Sequence, residues 1–188
     1  MEALLVSIVV VALSEVGDKT QLLALVLAAR LRKPVPIVLG ILVATLFNHT
    51  LAGLVGAWVR EVVPGAYLRW LVSASFFAVA LWALKPDRLD AEPVAQSRWG
   101  AFAVTVVAFF LAEIGDKTQI ATVVLAAQFG NLVAVVAGTT LGMLIADVPV
   151  VWLGNAAAMR IPMRMIRYIA AGLFAILGLV AMFFPAPS

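Results

Sequence analysis

The residues able to do chemistry in this chain fall into two short, nearly identical runs. Glu15-Val16-Gly17-Asp18-Lys19-Thr20-Gln21 and Glu113-Ile114-Gly115-Asp116-Lys117-Thr118-Gln119 each hold two carboxylates, an ammonium, a hydroxyl and an amide within otherwise apolar sequence. On a continuous helix the two acids of each run, three residues apart, project from nearly the same face. Glu15 then lies about twelve residues from one end of its apolar stretch and about fourteen from the other, roughly 18 and 21 Å of helix. Four carboxylates against Lys19 and Lys117 leave a formal charge of −2, which one divalent cation neutralises. Thr20, Thr118, Gln21 and Gln119 add neutral oxygens. A ligand set of oxygen without sulfur suits Mg, Ca or Mn better than Zn or Cu. Gly17 and Gly115 weaken a helix, and a turn opened there can lend backbone carbonyls to an ion.

The elements that position these residues belong in a bilayer. Of 188 residues, 64% are hydrophobic and 12% charged, whereas a soluble domain carries roughly a quarter charged residues. Mean hydropathy is +1.11. Six apolar runs approach or exceed the length needed to span hydrocarbon: about Ala3–Ala29, Val35–Trp58, Leu68–Leu84, Ala101–Ala127, Leu132–Leu153 and Ile166–Phe184. The first run lacks a basic flank and a convincing cleavage site, so it is expected to remain as a span. The net charge of +3 describes loops, and nucleic acid is not expected as a partner. The sequence contains no cysteine, which removes thiolate metal sites, and a single histidine, His49.

Lys and Arg are distributed unevenly between the loops. The loops after spans one, three and five hold Arg30, Arg32, Lys33, Lys85, Arg88, Arg98, Arg160, Arg164 and Arg167, against Arg60 and Arg69 on the other side. The positive-inside rule places those three loops in the cytoplasm and both termini outside.

The second half repeats the first at a spacing of 98 residues. Ser14–Ala29 aligns with Ala112–Ala127, Gly40 with Gly138 and Gly56 with Gly154. This divides the chain into a first three-helix repeat over residues 1–85, a cytoplasmic linker over 86–98 and a second three-helix repeat over 99–188. With three spans per copy the second must enter the membrane from the opposite side. The expected fold is therefore an all-α integral membrane protein, six transmembrane helices as two inverted three-helix repeats, a plan that puts substrate at the midplane between the halves.

The doubled Glu-x-Gly-Asp-Lys-Thr, one copy per half, resembles the GDT family of divalent cation/proton exchangers, whose bacterial members are linked to manganese export and whose Golgi members handle manganese and calcium. The resemblance covers nearly the whole chain. It implies that Glu15, Asp18, Glu113 and Asp116 bind the cation, and that the chain is a secondary transporter exporting divalent metal from the bacterial inner membrane, with Mn²⁺ the expected cargo and Ca²⁺ the alternative. The metal is cargo, no cofactor is expected, and the oligomeric state is left open. Exchange for protons has an independent rationale: crowded carboxylates without a metal repel one another and hold protons, which metal entry expels.

Further polar residues lie in the apolar runs. Asp147, in span five, is expected to act as a proton carrier or an outer ligand. Its repeat partner His49, beside Asn48, can relay protons or simply bond a neighbouring helix. Lys19 and Lys117 are read as charge balance. Pro149 is expected to kink its helix, and Gly138-x-x-x-Gly142 and Gly40-x-x-x-Ala44 to mark close helix packing. A pure ion-pair staple is a poor explanation for the doubled motif, because buried pairs stabilise weakly. Three other functions compete with transport of a metal. A basic amino acid exporter also needs negative charge, an intramembrane enzyme lacks any Ser/His/Asp, His-x-x-x-His or cysteine set, and a non-transporting scaffold would tolerate loss of the motif acids.

Overall fold

The structure, a computed structural model, describes residues 1–85, 100–153 and 163–183, and these form helices throughout. In chain order they are α1 (Glu2–Glu15), α2 (Lys19–Leu31), α3 (Pro34–Val62), α4 (Gly65–Ala83), α5 (Gly100–Glu113), α6 (Lys117–Phe129), α7 (Leu132–Leu153) and α8 (Met163–Phe183). Residues 86–98, with Arg88 and Arg98, and the loop carrying Arg160 lie outside the described residues.

Four of these helices, α3, α4, α7 and most of α8, are long and apolar enough to cross a membrane. Large apolar side chains such as Phe47, Trp58, Leu81 and Trp152 stand exposed along them. A water-soluble protein would bury such a surface, and a lipid-facing one displays it. The chain is an integral membrane protein.

The apolar runs Ala3–Ala29 and Ala101–Ala127 are not continuous helices. Each breaks at its motif, into α1 and α2 and into α5 and α6. The local cause is glycine: Gly17 takes φ +81° and Gly115 φ +74°, left-handed values that end a right-handed helix and that an L side chain resists. α7, by contrast, runs on through Pro149.

Close approaches fix how the helices run. A Cβ added to Gly138 would meet Leu4 and Ser7, and one added to Gly142 would meet Ile8, Val11 and Ala12, so numbering rises together and α1 and α7 run the same way. Gly40 abuts Phe102 and Thr105, while Asn48 reaches Phe110, so α3 and α5 also run together. Each half thus seats its first helix on the third helix-length element of the other, at glycines that let the backbones approach. α4 packs chiefly on α8, where Ser73 donates to the carbonyl of Gly178 at 2.7 Å.

Apolar contacts gather in two clusters. One joins Val72, Phe76, Val124, Leu125 and Phe174 from α4, α6 and α8. The other joins Leu27, Ile37, Ile41 and Phe109 from α2, α3 and α5. Several buried hydroxyls answer their own backbone, as Thr105 does to the Ala101 carbonyl and Thr122 to that of Thr118, which satisfies them without water. Arg60, near the end of α3, donates to the carbonyls of Ala127 at 2.9 Å and Gln128 at 3.0 Å and so closes the end of α6.

Candidate functional site

The four residues Glu-x-Gly-Asp form a turn rather than a helix face. Val16 at φ −62°, ψ 116° and Gly17 at φ +81° are the two central residues of a type II β-turn. The turn is closed by the Asp18 amide donating to the Glu15 carbonyl at 2.9 Å. The second copy repeats it, with the Asp116 amide on the Glu113 carbonyl at 3.0 Å. The glutamate therefore ends one helix and the aspartate is the N-cap of the next. This corrects the expectation that both acids project from one helix face. Two helix ends meet at each turn, and the C-terminal end of the first carries partial negative charge suited to a cation.

The glutamines hold the turns. Gln21 Oε1 accepts the Gly17 N–H at 2.9 Å, and Gln119 Oε1 accepts the Gly115 N–H at 2.8 Å. Gln21 also donates from Nε2 to the Ala146 carbonyl at 3.0 Å, tying the first turn to α7 beside Asp147. These amides, singled out in the sequence for their oxygens, are engaged by backbone here.

The two turns come together from separate halves of the chain. Glu15, Glu113 and Asp116 each place one carboxylate oxygen within 4.8 Å of the others. Opposite donors around a single ion, each about 2.3 Å from it, are about 4.6 Å apart, so the spacing fits one cation. All three carboxylates are buried. One Glu15 oxygen accepts the Thr20 hydroxyl. The other, and both oxygens of Glu113, have no hydrogen-bond partner among the described residues. Thr118 donates to Asp116 at 3.3 Å.

Asp18 stands outside this trio, and the lysines account for its placement. Lys117 Nζ lies 2.9 Å from Asp18 Oδ1, and Lys19 Nζ lies 3.2 Å from Asp116 Oδ1. Each motif's ammonium thus serves the other motif's aspartate. Of the four motif acids, both aspartates are so matched and Glu15 and Glu113 remain without a lysine. A small cleft lined by Ser14, Gly17, Lys117 and Arg167 lies beside the first turn.

His49 and Asp147 border the cluster. His49 Nε2 lies 3.6 Å from Glu113 Oε2. Asp147 is buried, has no hydrogen-bond partner among the described residues, and is near enough to Glu15 and Glu113 for their charges to interact. Asn48 points elsewhere with its amide nitrogen, donating to the Phe110 carbonyl at 3.2 Å. Thr45, which the sequence reading passed over, is buried one turn before His49 with its hydroxyl unpartnered among the described residues. Its spacing of four from the histidine was the available signal.

Gly115 isolates what the turn demands. A Cβ there meets nothing within 4 Å, so Gly115→Ala changes only the cost of φ +74°, about 1–2 kcal/mol. Gly115→Ala is expected to lower the melting temperature and slow cation flux, and Gly115→Asn, which tolerates left-handed backbone, to retain more of both. Equal behaviour of the two variants in thermal unfolding and vesicle flux would discount the turn.

A family profile described as divalent cation/proton antiporter GDT1 matches residues 3–91 and 101–186, so both motifs and both halves are covered. The chain is 49% identical over 185 residues, 98% of its own length and 92% of the relative's, to a Vibrio cholerae protein named "Putative manganese exporter". It is 29% identical over 202 residues, covering 96% of this chain and 97% of the relative, to a GDT1-like protein of Synechocystis. No solved structure matches it. With buried acids from two glycine turns converging at a spacing that fits one ion, and a profile spanning both turns, the chain belongs to the GDT1 family of divalent cation/proton antiporters.

Proposed function

We propose that this protein exports Mn²⁺ from the bacterial cytoplasm across the inner membrane in exchange for protons, by alternating access. The observation that carries the reading is the convergence of Glu15, Glu113 and Asp116, with Asp18 and Asp116 each matched to a lysine of the other motif. Asp18 completes the binding set as a carboxylate that Lys117 releases when the ion arrives. Manganese is preferred because the Vibrio relative bears that name. Ca²⁺ shares the oxygen chemistry and is the natural competitor.

Each broken pair, α1 with α2 and α5 with α6, counts as one span, so the chain crosses six times. Residues 1–85 and 99–188 are then inverted repeats and 86–98 a cytoplasmic linker. Support comes from the running directions: α1 goes with α7, and α3 with α5. If α3 runs opposite to α1, then α5 does too, although α5 is the repeat equivalent of α1. Both termini face outward. Closing the site to one side and opening it to the other requires the halves to rock about the glycine contacts. The protein is a carrier and not an enzyme.

Proton exchange follows from competition for the same oxygens, because a carboxylate must shed its proton to ligate metal. Falling pH therefore weakens metal binding, and an acidic exterior favours release there. In inside-out vesicles holding the purified protein, Mn²⁺ uptake should accelerate when the lumen is made acidic and should exceed Ca²⁺ and Mg²⁺ uptake. Indifference to the gradient would remove the coupling. Transport of lysine or arginine instead of metal would replace the substrate, and binding without flux would leave a scaffold.

A further inference from the structure

The two motifs are chemically matched, but the walls beside them are not. Repeat-equivalent positions 98 residues apart hold His49 on α3 and Asp147 on α7. Both side chains are fully buried and face the same cluster, so the bound ion would meet an imidazole from one half and a carboxylate from the other. Neither ring nitrogen of His49 has a hydrogen-bond partner among the described residues. A fully buried imidazole in that condition is costly unless something occupies its lone pair. Two donors each about 2.2 Å from one six-coordinate ion lie between about 3.1 Å apart when adjacent and about 4.4 Å when opposite. The 3.6 Å between His49 Nε2 and Glu113 Oε2 falls within that range.

We propose that His49 ligates the transported ion through Nε2 alongside Glu113, and that this single nitrogen sets the preference for Mn²⁺ over Ca²⁺. The inference rests on the transport reading above and adds to it the residue that chooses the metal. Ca²⁺ and Mg²⁺ are hard ions that take oxygen. First-row transition ions accept imidazole, and their affinity for such sites rises from manganese onward. A neutral nitrogen adds a donor without adding charge, so it rewards the ion that can use it and leaves the balance of the glutamates against the cation unchanged. Asp147 in the equivalent place offers only hard oxygen.

Because His49 is the only histidine, it can be labelled alone. Protein with its affinity tag removed is loaded with Mn²⁺ in lipid nanodiscs and examined by electron spin echo modulation. The expected result is a directly coordinated nitrogen signal that changes from the ¹⁴N to the ¹⁵N pattern when only histidine carries ¹⁵N. Competition binding supplies the second measurement. His49→Gln should weaken Mn²⁺ about tenfold or more with Ca²⁺ little changed, and His49→Asp, which makes the two walls alike, should narrow or reverse the Mn²⁺/Ca²⁺ ratio. Bound Mn²⁺ whose spectrum is blind to the histidine label overturns the His49 assignment and leaves the carboxylate site standing. A Mn²⁺/Ca²⁺ ratio unmoved in both variants does the same. Failure of the wild-type protein to bind Mn²⁺ at all overturns the transport reading, and this inference with it.

Discussion

Glu15→Gln and Glu113→Gln are each expected to reduce Mn²⁺ flux by about 100-fold or more, with the protein still folded and inserted. Supporting groups around a metal already cost 10–100-fold when removed, and these are the nearest candidates for direct ligands. The amide keeps the volume of the acid and removes one of the two motif charges left unmatched by lysine. The apo protein should not suffer. An uncompensated carboxylate buried in the bilayer interior is a burden, so neutralising it is expected to hold or raise the melting temperature. This opposition of lost flux and retained stability separates a transport site from an ion-pair staple, which would lose stability together with everything else. Vesicle flux and thermal unfolding on the same preparations supply both numbers. A variant that transports at the wild-type rate ends the assignment.

The second large effect concerns the lysines, which the geometry makes unequal. Lys117 is 6% exposed against a fully buried Asp18, whereas Lys19 is 25% exposed against Asp116. Removing one partner of a buried pair costs about 3–5 kcal/mol because the charge left behind is stranded, and a lysine with access to solvent returns part of that cost. Both lysine variants should therefore destabilise the protein, Lys117→Met more than Lys19→Met. Asp18→Asn placed on Lys117→Met should restore much of the loss, since the charge left behind causes it. The double-mutant cycle in thermal unfolding reads this coupling directly. Equal costs for the two lysines, or no rescue, would mean the pairs do not bear charge in the way their spacing suggests.

The two effects together would mark a site arranged for exchange rather than for tight storage. Cross-pairing ties the turn of each half to a lysine of the other, so a movement of one half against its partner changes both ion pairs at once. In the transport cycle proposed above, metal and lysine would compete for the aspartates, and protons and metal for the glutamates. A carrier needs such alternatives, because an ion held by everything available has no route out.

Much of this was readable from residue types alone. Membrane insertion follows from apolar length and scarcity of charge, both properties of the chain itself. The doubling of the motif, and the singling out of Glu15, Asp18, Glu113 and Asp116 as groups that could share an ion, also required no coordinates, although only Glu15, Glu113 and Asp116 come together. Local pattern misled at one point. Treating Glu15 and Asp18 as neighbours on one helix face assumed that helical periodicity continues through Gly17, yet φ +81° turns the chain there.

What tertiary structure alone decided is partnership. Nothing in the order of residues says that Lys117 belongs to Asp18 and Lys19 to Asp116, that Asp18 stands apart from the trio, or that His49 lies against Glu113. The three pairings join residues separated by 64 to 99 positions, a distance over which hydropathy and periodicity carry no information. They are set by how closely α1 seats on α7 and α3 on α5, which depends on backbone approach at Gly138, Gly142 and Gly40. The sequence by itself determined which groups are available, and packing between the halves determined which of them meet.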